Sequence, residues 1–162
     1  MLFSRSMRPA FPLLLVAFLA CGGDDDGGSS VTSGNTATTG AQCAADTRKD
    51  VYAPGLTKPA GALSVKLVST DPVAPTNQNN TFDFAVTDAA GAPLDGATLT
   101  VTPWMPDHAH GSAVRPTVTA TGGGTYVAKN VYLAMAGLWR ITVTVESAGT
   151  RQDAVFQFCL DG

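Results

Sequence analysis

The chain has 162 residues, with 10 basic and 13 acidic side chains and a formal net charge of −3. No run of Lys or Arg interrupts that balance, so the electrostatic footprint of a nucleic-acid binder is missing. Residues 43–162 offer about 120 positions for folding, enough for one hydrophobic core and too few for two.

The first twenty residues read as a secretory leader. Arg5 and Arg8 supply a positive start, Phe11 to Leu19 an apolar stretch broken only by Pro12, and the small Ala20 precedes Cys21. That apolar stretch of about nine residues is far short of the roughly 20 that cross a bilayer. Phe18-Leu19-Ala20-Cys21 resembles the bacterial lipobox, with Phe18 in place of the usual Leu or Val. Cleavage before Cys21 and acylation of its thiol would anchor the chain in a membrane, because two or more acyl chains hold stably. A plain signal peptide with an incidental cysteine is the alternative. Losing Arg5 and Arg8 leaves 8 basic against 13 acidic residues, moving the net charge from −3 to −5.

Residues 21–42 then form an expected lipidated spacer of Gly, Asp, Ser, Thr, Asn and Ala, with Val31 its only large apolar residue. The chain has three cysteines. With Cys21 assigned to the anchor, Cys43 and Cys159 remain, and outside the cytoplasm an even pair reads as a disulfide. A free-thiol metal site is the rival. Cys43 to Gly61 is transitional, with Asp46, Arg48, Lys49 and Asp50 followed by Pro54, Gly55, Pro59 and Gly61.

Beyond Gly61 short apolar runs alternate with polar residues. Leu63, Val65 and Leu67 form one; Phe82, Phe84 and Val86 another; Leu99 and Val101 a third. Val118 and Ala120 follow, then Tyr126 to Tyr132, then Trp139, Ile141, Val143 and Val145, and last Ala154, Phe156, Phe158 and Leu160. Period two marks half-buried strands. The breaks are turn chemistry: Asp71-Pro72, Asn79-Asn80, Asp88 to Gly91, Asp95-Gly96, Gly122 to Gly124 and Ser147 to Gly149. The expectation is an all-β chain folded as an immunoglobulin-like antiparallel β-sandwich of about seven strands. In the last strand Cys159 has the opposite parity to Phe158 and Leu160 and faces outward, where Cys43 could reach it.

One stretch departs from alternation: Trp104-Met105-Pro106-Asp107-His108-Ala109-His110-Gly111. It holds both histidines of the chain and one of its four methionines, and Met1 and Met7 belong to the leader. Imidazole and thioether suit copper in either oxidation state better than they suit hard cations. His108, His110, Met105 and Met135 are therefore the candidate metal ligands. In an extended segment the two histidines lie about 7 Å apart on one side, a gap that a turn after Pro106 could close. The competing reading makes the methionines core residues and the histidines ordinary exposed loop residues.

Met105-Pro106-x-His108-x-His110-Gly111, then Gly124-Thr125-Tyr126, then Met135-x-Gly137-x-Trp139-x-Ile141-x-Val143 together resemble the YtkA-like domain, related to FixH-type proteins. Asp88-x-x-Gly91-x-Pro93 with Ala97 fits the same pattern, and the resemblance covers roughly Leu63 to Phe158. It implies an extracytoplasmic β-sandwich, often membrane-tethered, associated with copper handling and oxidase assembly. No motif pairs His108 with a nucleophile, and Glu146, the one Glu, sits in a regular strand. The chain is not expected to be an enzyme.

Together these readings give a leader over 1–20, a lipidated tether over 21–42 and a YtkA-like sandwich over 43–162. The chain is expected in the bacterial cell envelope, anchored to a membrane through Cys21, the outer membrane favoured, with the domain in the periplasm or at the cell surface. Its expected task is to bind copper or a partner that handles it. The alternative is a metal-free interaction or adhesion module with an envelope protein as partner.

Overall fold

The computed structural model describes residues 43–162; the expected leader, lipidation at Cys21 and spacer lie outside the described residues. The alternating runs become strands, all paired antiparallel: β1 (Thr57–Ala60), β2 (Leu63–Asp71), β3 (Asn79–Thr87), β4 (Thr98–Met105), β5 (His110–Gly111), β6 (Thr117–Gly122), β7 (Thr125–Tyr132), β8 (Gly137–Ser147) and β9 (Thr150–Leu160). They form two sheets, of order β1-β2-β3-β7-β6 and β5-β4-β8-β9. Set aside the short β1 and β5, and four strands face three in the order of an immunoglobulin sandwich. The seven expected strands are present. β1 and β5 are additions: β1 carries Pro59 in four residues without alternation, and β5 is two residues long, one of them glycine. Among the described residues no helix is long and apolar enough to cross a membrane.

The core fills from both inner faces. Phe82 and Phe84 of β3 meet Phe158 and Phe156 of β9 across the sandwich, with ring centres 6.3 and 5.8 Å apart, the spacing of tilted and edge-to-face aromatic contacts. On β8, Trp139, Ile141, Val143 and Val145 are wholly buried, while Arg140 faces solvent. Thr144 also points outward, yet only 8% of it is exposed. Its hydroxyl donates to the paired Asp153 carboxylate at 2.6 Å, which satisfies it in place of water.

Edges are treated unequally. β9 ends the second sheet, and residues 43–52 run along it as a strap before Gly55 and Leu56 pair with Leu67 of β2. Asp50 N–H donates to Gln157 O at 2.7 Å, and Gln157 N–H donates to the Asp50 carboxylate at 2.8 Å. Cys43 and Cys159 are joined by a disulfide, on the outward parity expected for Cys159. Tyr52 packs edge-on against Phe158, and its hydroxyl donates to the Thr70 hydroxyl, whose own proton goes to Pro72 O. Such a strap blunts an edge that would otherwise template foreign strands. β4 at the opposite end pairs with β5 only at Trp104 and Met105, leaving Thr98–Pro103 unpaired on that side among the described residues. Pro103, which has no N–H to give, is tolerated in such an edge strand.

The passage from β3 to β4 switches sheets and is stapled. The Asp88 carboxylate accepts from the N–H groups of Ala90 and Ala92, and Gly91 closes the turn at φ +81°. Leu94 N–H donates to Val86 O, Val86 N–H to Gly124 O, and Gly124 N–H to the Asp95 carboxylate. The Tyr126 hydroxyl donates to Leu94 O at 2.8 Å, and burial pushes its phenol above the ordinary value.

Candidate metal-binding turn

The hairpin between β4 and β5 is built by its sequence. Pro106 takes the position where a fixed φ near about −65° starts a turn, and His108 N–H donates to Met105 O at 3.3 Å. Ala109 then adopts φ +54°, reversing the chain so that His110 pairs with Met105. The two imidazoles end with ring centres 5.8 Å apart and planes at 74°, closer than an extended segment would leave them. His110 Nδ1 lies 3.1 Å from Gly111 O. A carbonyl only accepts, so Nδ1 is the donor in this contact, and Nε2 is left outside it.

Beneath the turn lies Trp139, whose ring centre is 6.3 Å from that of His110. Its indole N–H donates to Met135 O at 2.9 Å. Gly137 between them has φ +123°, and a Cβ there would lie 2.9 Å from Met105 Cε. The Met-x-Gly-x-Trp spacing is thereby explained: a carbonyl for the indole, a bare position for the thioether's methyl, and a wholly buried indole.

Two of the four candidate ligands share the turn and two diverge. His108 and His110 are exposed there. Met135 is 39% exposed on the β7–β8 connection, whereas Met105 is wholly buried in the core. Parity accounts for Met105: Leu99, Val101, Pro103 and Met105 all face inward along β4. Metal–imidazole bonds of 2.0–2.1 Å allow two ligating rings to keep centres up to about 6 Å apart, so the 5.8 Å separation is within reach of one shared ion. Among the described residues no three His, Cys, Asp or Glu side chains converge as a ready cage.

Asp107 is engaged elsewhere. The Arg48 guanidinium, reaching from the strap, donates from Nη1 to Asp107 Oδ1 at 2.7 Å and from Nη2 to Oδ2 at 2.6 Å. Its other side holds Asp46, from Nε at 3.0 Å and Nη2 at 2.7 Å. Hydrogen bonds from Arg48 hold both carboxyls below the usual carboxylate range, and in turn Asp107, then Asp46, keep Arg48 firmly protonated. Arg48, Asp107, His108, Leu138 and Cys159 line a cavity of about 510 Å³. Arg48 escaped sequence reasoning because its partner lies 59 positions away and no local spacing signals such a pair.

Residues 57–144 match the family model described as YtkA-like, more than half of the chain, and the chain belongs to the YtkA-like family. The match spans the histidine turn and the Met-x-Gly-x-Trp run; Arg48, Cys43 and Cys159 lie outside it. Comparison with curated proteins gave no match.

Proposed function

We propose that this chain is a lipid-anchored envelope protein, not an enzyme, whose sandwich binds copper at the β4–β5 turn in the service of copper handling or oxidase assembly. The observation that carries the reading is the pairing of the chain's two imidazoles at 5.8 Å on an exposed, hydrogen-bonded turn. His108 and His110 are the ligands; Met135, exposed on a separate connection, is the thioether free to join them, and Met105 supports the turn from below. An open rim with soft donors suits a metal that must be accepted and released. The lipid anchor at Cys21 follows from the lipobox-like leader and gives the chain its membrane partner.

Titration of the chain with Cu(I) against a competing chelator tests this directly. The expected outcome is a dissociation constant tighter than about micromolar, an interaction of roughly 8 kcal/mol. His108→Ala with His110→Ala should weaken it at least about a hundredfold, and Met135→Leu by a smaller factor. Binding should also fade in acid, because imidazole ligates only when unprotonated. Wild-type affinity weaker than micromolar for both copper states removes the metal reading. The unpaired β4 edge, beside a groove of about 530 Å³ lined by Thr100, Trp104, Val114 and Arg115, then favours a metal-free interaction module that adds a partner's strand.

A further inference from the structure

Nothing in the turn's own hydrogen bonding requires Arg48, yet both prongs of its guanidinium are spent on the residue next to His108. We infer that Arg48 determines metal specificity: by engaging both oxygens of the Asp107 carboxylate, it denies the histidine rim a hard oxygen donor and so favours Cu(I) over Zn(II). This rests on the copper reading of the same turn.

Ligand chemistry makes the difference. Two imidazoles, with or without a thioether, form a set that Cu(I) accepts, whereas two imidazoles with a carboxylate form a set that Zn(II) takes readily. Asp107 is adjacent in sequence to His108 and lines the same cavity, so rotation of its side chain would bring a carboxylate to the histidine rim. A planar fork is the device that prevents this, since two parallel hydrogen bonds fix both oxygens at once. Arg48 is fixed in turn. Asp46 occupies its far side, and the strap that carries it is fastened five residues earlier by the Cys43–Cys159 disulfide and two residues later by Asp50 on Gln157. Both Arg48 and Asp107 are about half exposed. An exposed ion pair contributes little to stability, so its position beside the ligands is the more telling property.

The test uses the full chain in detergent, titrated separately with Zn(II) and Cu(I) against chelators. Arg48→Ala should bind Zn(II) about tenfold tighter than wild type, as one negative charge is freed and one positive charge removed beside a divalent ion, while Cu(I) affinity stays within about threefold. Arg48→Lys, which keeps the charge and loses the fork, should fall between them. Arg48→Ala with Asp107→Asn should return Zn(II) binding to the wild-type level, and Asp107→Asn alone should leave it there. A purely fastening role for Arg48 would lower both affinities together and overturn the inference. So would a Zn(II) gain that persists in the double variant. Absence of Cu(I) binding by the wild-type chain overturns the copper reading itself; intact Cu(I) binding with a flat Zn(II) response overturns the role of Arg48 alone.

Discussion

Gly124 sits where three segments meet, at φ +71°, with the place of a Cβ only 2.7 Å from Val86 O and 2.8 Å from Leu94 N. Those neighbours are backbone atoms that hydrogen-bond one another, so neither can yield cheaply. Gly124→Ala should cost about 2–4 kcal/mol, strain in a left-handed conformation adding to the clash. Gly122→Ala shares the positive φ but meets nothing within 4 Å and should cost less than half as much. Chemical denaturation of the two variants measures the difference, and equal losses would contradict the crowding at Gly124. Methionines teach a related lesson. In composition Met105 and Met135 looked alike, as two thioethers near histidines. Extending the parity of Leu99 and Val101 by four residues already places Met105 inward, so its burial was legible. The exposure of Met135 was not, because it belongs to a connection without period.

At the level of strands, β8 offers the sharpest contrast of faces. Val143 is wholly buried against the opposite sheet, and Val143→Ala should destabilise by about 1–3 kcal/mol through lost apolar burial and a residual cavity. Thr142, half-buried on the outer face, should lose no more than about 0.5 kcal/mol on change to Ala. Urea midpoints with unchanged slopes report both, and a one-residue slip in register would exchange the two values. Seven strands were legible because each keeps a two-residue period for at least three apolar positions or lies between clear turns. β1, β5 and the strap were not. Their places depend on long-range partners, β2, the tip of β4 and β9, which no local pattern encodes. The histidine turn was legible as a cluster, while its clamp from Arg48 required the strap's path across the fold.

For the molecule as a whole, the disulfide joins positions 116 apart, closing nearly all of the described chain into one loop. Chain-entropy reasoning assigns such a closure about 4–5 kcal/mol, an upper figure where the reduced ensemble stays compact. Cys43→Ala with Cys159→Ala should therefore lower the unfolding free energy by about 2–5 kcal/mol, and denaturation of the oxidised wild type should expose neither thiol to a maleimide. Labelling of both would contradict the bond.

The same bond sets a route for mechanical load. Tension arriving along the chain ahead of Cys43 crosses the sulfur bridge and enters the sandwich at Cys159, on a strand zipped to β8 by eleven residue pairs from Gly137–Leu160 to Ser147–Thr150. Residues 44–56 stand beside that route, held to the sandwich by their own hydrogen bonds. Because Arg48 lies past the bridge, a pull on the chain ahead of Cys43 would be borne by β9 and β8 before it reached the fork on Asp107.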